Sequence, residues 1–148
     1  MQNLFATQQG DATRVAIDLS CEEISVKTSG TTLCYFIVQN IKDEAFIREL
    51  ATRLISSGCR EFCFWGAEEP RWHLLFDEMY IEVEPDFDEN FCALTSGKAE
   101  WEGFVDEVFD AFPTRDFAPT QIVLFYDDKQ AYEKLVKDCE ALARSGSF

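Results

Sequence analysis

Hydrophobic positions along the chain follow a rhythm. Short continuous apolar runs alternate with longer stretches in which apolar residues recur three and four apart. The rhythm begins at Leu33–Gln39, a run of strand length. Asp43–Ser57 then places Phe46, Ile47, Leu50, Ala51, Leu54 and Ile55 at helical spacing, and Gly58 follows where a helix C-terminal glycine belongs. Glu61–Trp65 predicts the next strand. Glu68-Glu69-Pro70 predicts a helix start, because carboxylates and proline suit a first turn, and that helix carries Trp72, Leu75, Phe76 and Met79. Tyr80–Glu84 alternates and reads as a short extended piece before the acidic loop Pro85–Asn90. Phe91–Thr95 predicts a strand, and Glu100–Phe112 a helix with Trp101, Phe104, Val105, Val108, Phe109 and Phe112 on one face. Gln121–Tyr126 is strand-like. Asp127 and Asp128 stand where they cap a final helix whose stripe is Ala131, Tyr132, Leu135, Val136, Cys139 and Leu142.

Strand and helix thus alternate four times. Strands without polar alternation are buried on both faces, and alternating β and α elements imply a mostly parallel sheet between helical layers. The expected fold is a three-layer α/β/α sandwich with a sheet of four to six strands. Val15–Leu19 and the short alternation Glu22–Lys27 supply one or two further strands at the edge, where antiparallel pairing is open to them. The 148 residues make a single α/β domain, residues 1–148, with flexible ends at 1–13 and 145–148.

Composition adds to this picture through charge. The formal net charge is −15, and from Asp77 to Asp110 twelve carboxylates face a single cation, Lys98. Such a surface repels phosphate backbones and anionic headgroups, so direct nucleic-acid and membrane binding are disfavoured and a basic protein partner is favoured. The hydrophobic fraction of 47% is ample for a core despite that charge. Six cysteines would suit a disulfide framework in a secreted chain, but Cys34, Cys63 and Cys92 lie in strand-like apolar runs and Cys139 on a helix stripe. With no signal-like N-terminus, the expectation is a reduced, cytoplasmic protein.

Specific chemistry is sparse. Thr95-Ser96-Gly97-Lys98 superficially suggests a phosphate-binding loop, but Cys92 stands where the first glycine is required and Ala99 where Ser or Thr is required. Asp86, Asp88 and Asn90 match the opening of a calcium loop, but Phe91 and Gly97 occupy its turn glycine and bidentate glutamate positions. His73 is the only histidine and has no second histidine four residues away. A Gly-x-Ser-x-Gly elbow and a dinucleotide glycine fingerprint are both absent. No catalytic residue, metal ligand or cofactor is assigned.

Two candidate sites follow. The first is a partner-binding patch of Glu82, Glu84, Asp86, Asp88, Glu89, Glu100, Trp101, Glu102 and Asp106, carboxylates around an aromatic. It implies a non-enzymatic binding module, in its sharpest form an immunity or inhibitor protein masking a basic, nucleic-acid-directed toxin. The second is the crevice at the carboxyl ends of the strands, where open parallel sheets hold ligands. It comprises Asn40, Glu68, Glu69, Thr95, Ser96, Asp127 and Asp128, and implies a small enzyme or ligand-binding domain. A third expectation is self-association, should the fourteen phenylalanines exceed what one core absorbs.

Overall fold

A computed structural model describes residues 13–20, 32–59, 61–83, 94–97, 100–110 and 121–145. It shows a parallel sheet between two helical layers. The elements are β1 (Thr13–Asp18), β2 (Thr32–Ile37), α1 (Glu44–Ser56), β3 (Glu61–Trp65), α2 (Glu69–Val83), β4 (Leu94–Gly97), α3 (Trp101–Asp110), β5 (Gln121–Tyr126) and α4 (Lys129–Ser145). Five strands pair in the order β1-β5-β2-β3-β4, all parallel. The first strand therefore joins the edge in parallel, beside β5, and does not use the antiparallel option. The segments 1–12, Glu22–Lys27 and 146–148 lie outside the described residues.

Period-two alternation divides β2 between two cores. Cys34, Phe36 and Val38 face α1 and α2, whereas Leu33, Tyr35 and Ile37 face α3 and α4. Phe36 is the hub of the first core. It stacks between Phe64 of β3 and Phe125 of β5 at ring-centroid distances of 4.7 and 4.8 Å, in register with both, and meets Trp72 and Phe76 of α2. Among the described residues the large hydrophobics left exposed are Leu74 and Ile81, both on α2. The described phenylalanines are thus absorbed in the interior or partly buried against it.

Local chemistry sets the helix ends. The Asp43 carboxylate accepts from the backbone N–H groups of Ala45 and Phe46, capping α1. Gly58, at φ 105°, ends it. Arg14 of β1 is buried and donates to the carbonyls of Val108 and Phe109, both at 3.1 Å, tying β1 to the last described turn of α3.

Two predicted elements are corrected. Tyr80–Val83 continues α2 and is not extended, and Glu84 lies outside the described residues. Trp72, Phe76 and Tyr80 are buried four residues apart, and this spacing outweighs the local alternation that leaves Ile81 exposed. β4 (Leu94–Gly97) runs on past the predicted end at Thr95, and residues 91–93 of the predicted strand lie outside the described residues. Among the described residues it is an edge strand paired with β3, and its polar residues Thr95 and Ser96 lie in register with Phe62 and Cys63.

Cys34, Cys59, Cys63 and Cys139 are buried thiols outside any disulfide. A hydrogen bond with Cys59, followed by burial, pushes the Cys34 thiol well above its ordinary value, and burial pushes Cys139 up to about 11. Since the thiolate is the reactive form, these four should resist iodoacetamide at pH 8 in the native state and react on unfolding. Mass mapping that found any of them alkylated at native rates near those of the unfolded chain would contradict this packing.

Candidate functional site

The strand-end crevice lies where β2 and β5 adjoin and their connections diverge, α1 crossing over one face and α4 over the other. The chain itself fills it. Beyond β2 the backbone N–H groups of Gln39, Asn40 and Ile41 point at one place, an anion-accepting concavity. The Asp127 carboxylate occupies it: Oδ1 accepts from Gln39 N at 2.8 Å, and Oδ2 accepts from Asn40 N at 2.9 Å and Ile41 N at 2.8 Å. Asn40 Nδ2 donates back to the Asp127 carbonyl, and Asp127 N donates to the Ile37 carbonyl.

This corrects the reading of Asp127 as a helix cap. Asp128 does that work, accepting from Ala131 N at 3.2 Å. Asp127 latches two strand ends together, and sequence alone does not reveal its partners because they lie more than eighty residues away.

The same loop is held from β3 and α2. Gln39 Oε1 accepts from Ala67 N, and the Ile41 carbonyl accepts from Trp72 Nε1 at 3.0 Å. Glu68 N donates to the Val38 carbonyl, while the Glu68 side chain pairs with Arg71 at 3.1 Å. Arg71 in turn reaches Glu44, and Arg48 links Glu44 to Glu78, forming a surface ladder of alternating charge across α1 and α2. Glu69 packs its carboxylate against Gly97 at the end of β4. The backbone of Thr95 and Ser96 lies in β4, next to β3. Asn40, Glu68 and Asp127 therefore meet the chain's own backbone at the carboxyl ends of β2, β3 and β5, whereas Thr95 and Ser96 of β4 pair with β3 and do not join them. Among the described residues no three His, Cys, Asp or Glu side chains come together as a metal site.

Of the partner-binding residues, the described ones fall in two helical layers. Glu82 is exposed near the C-terminal end of α2, in the layer that covers the first core. Glu100, Trp101, Glu102 and Asp106 belong to the opposite layer, at and after the start of α3. Helices in such crossovers run antiparallel to the strands, so Glu82 also sits at the other end of the sheet. Glu84, Asp86, Asp88 and Glu89 lie outside the described residues.

What the structure does assemble is an open groove of about 600 Å³ between α3 and α4, lined by residues including Trp101, Glu102, Val105, Asp106, Lys134 and Asp138. Trp101 is half-buried, its ring set edge-on to Trp65 at 4.6 Å. Its indole Nε1 donates to Asp138 Oδ2 at 2.7 Å. Lys134 Nζ lies 4.7 Å from the Trp101 ring centroid and 3.1 Å from the same Asp138 oxygen. The Trp101 N–H and, less strongly, Lys134 hold the Asp138 carboxyl below its ordinary value, against partial desolvation that pushes it up. With three carboxylates and one ammonium around an indole, the groove matches a cation with a flat apolar face.

A family model described as Domain of unknown function (DUF7684) matches residues 14–124. The chain belongs to this family. No curated protein and no solved structure matches it. The DUF7684 match ends inside β5, ahead of Asp127 and α4, so the latch and one wall of the groove lie beyond it. Sequence reasoning about this DUF7684 member found the α3 wall through Trp101 and its neighbouring carboxylates. It missed Lys134 and Asp138, whose only signal was a position on the polar side of an amphipathic helix. Among the described residues no helix is long and apolar enough to cross a membrane.

Proposed function

We propose that this protein is a non-catalytic binding module that docks a basic protein through the α3–α4 groove. The observation that carries this reading is Trp101, set in an open groove with Glu102, Asp106 and Asp138 around it. Aromatic anchors ringed by polar groups recur at interaction hot spots, and unbalanced negative charge speeds encounter with a cationic surface. The crevice that a small substrate would enter between β2 and β5 holds the chain's own Asp127 carboxylate, which favours binding over catalysis. In its sharpest form the module is a cytoplasmic immunity or inhibitor protein that covers the cationic active surface of a nucleic-acid-directed toxin. A net charge of −15 supports that form.

The test is to capture basic proteins on the immobilised chain, purify one, and titrate it against wild type and a Glu102→Gln/Asp106→Asn double variant. Affinity should fall roughly 3- to 10-fold in the variant, the scale of two rim charges. It should also weaken as salt shortens the screening length from about 10 Å at 0.1 M. Binding indifferent to both salt and the variant would reject this docking mode, as would failure to find any basic partner.

A further inference from the structure

We propose that the Trp101–Asp138 pair is a seat for an arginine side chain of the partner and that Lys134 is its built-in stand-in, displaced when the partner docks. This rests on the docking reading above and specifies its chemistry. The seat is defined by two contacts converging on one cation: the Trp101 ring face, with Lys134 Nζ at 4.7 Å, and Asp138 Oδ2, at 3.1 Å. Asp138 is fixed in place by the Trp101 indole N–H at 2.7 Å, so ring and carboxylate are oriented together before any guest arrives.

Lys134 is a poor permanent occupant. Its side chain is 61% exposed, and an ammonium is compact and strongly hydrated. An exposed i,i+4 lysine–aspartate pair holds its partners weakly enough for a better-fitting cation to displace Lys134 into solvent. A guanidinium fits the same contacts better. It is planar, stacks on indole, is less tightly hydrated than an ammonium, and presents a fork of donors to a carboxylate. Glu102 and Asp106 on the facing helix complement the rest of a basic segment. Lys134 therefore acts as a gate on the groove: it fills the seat in the free protein and lowers the apparent affinity of any arginine that must replace it.

The experiment titrates hexa-arginine into 15N-labelled protein and follows the Trp101 indole N–H, assigned by its loss in Trp101→Phe. Three further variants are compared with wild type. Lys134→Met empties the seat, Asp138→Asn removes its carboxylate, and Lys137→Met makes the same change of charge at an exposed α4 position outside the groove lining. Lys134→Met should bind roughly 3- to 10-fold tighter than Lys137→Met, the scale of the ion pair and ring contact released. Asp138→Asn should abolish the response of the Trp101 indole. Tightening that is equal in Lys134→Met and Lys137→Met overturns the gate, because only bulk charge is then at work. Hexa-arginine that binds wild type while Lys134→Met weakens it likewise overturns the gate but leaves groove docking standing. Absence of any response in wild type and Lys134→Met removes both the seat and the docking reading on which it rests.

Discussion

Asp127→Ala is expected to lower the stability of the domain by about 3 kcal/mol, whereas its neighbour Asp128→Ala lowers it by about 1 kcal/mol. The larger figure comes from three backbone N–H groups that converge on one carboxylate. Charge-assisted hydrogen bonds contribute roughly 1.5–3 kcal/mol each when buried, and the sum is discounted here because Asn40 is exposed and water can replace part of the loss. The smaller figure is that of an ordinary N-cap. In thermal melts the first variant should fall by about 10 °C and the second by about a third of that. Asp127→Asn should fall between them, since an amide retains one acceptor oxygen but not the charge. A melting point for Asp127→Ala equal to that of Asp128→Ala would mean that solvent satisfies the loop and that no latch joins the two strand ends.

Gly66→Ala should cost about 4 kcal/mol, against about 1–2 kcal/mol for Gly58→Ala. Both glycines have positive φ, 134° and 105°, a region that L side chains rarely adopt. They differ in surroundings. A Cβ at Gly58 meets nothing within 4 Å, whereas one at Gly66 runs into the Val38 carbonyl group. That carbonyl accepts from Glu68 N, and the obstruction is backbone, so relief requires the β3–α2 turn to lift off the end of β2. The Glu68 and Ala67 contacts to the loop would go with it. Urea unfolding of the two variants separates the effects. Equal losses would assign the cost to backbone angle alone and remove the close crossing as a cause.

The layered architecture was legible because its strongest signal is local. Continuous apolar runs such as Leu33–Gln39 and Gln121–Tyr126 mark strands covered on both sides, and the stripes of α1 and α4 have unambiguous helical period. The errors arose where local pattern and distant packing disagree. Tyr80–Val83 alternates like a strand, but Tyr80 completes a buried ridge with Trp72 and Phe76. Asp127 looks like a cap because it precedes a helix, yet its ligands are the N–H groups of Gln39, Asn40 and Ile41. The acidic third quarter of the chain reads as one patch along the sequence, and Glu84, Asp86, Asp88 and Glu89 of it lie outside the described residues. The crossover places Glu82 and Glu102 in different layers, a separation that linear spacing does not encode. Trp101 was found through the carboxylates beside it, whereas Lys134 and Asp138 became visible only once α4 was laid against α3.

The aromatic ladder of Phe64, Phe36 and Phe125 bears on how the sheet avoids assembling wrongly. Rings in register on three adjacent strands behave like pins in a lock. Sliding any one strand by a single residue sends its ring through to the other helical layer, and sliding by two opens a ring-sized gap in the row. Neither misalignment resembles the native state closely enough to persist, so the three central strands carry their own proofreading, independent of the turns that connect them.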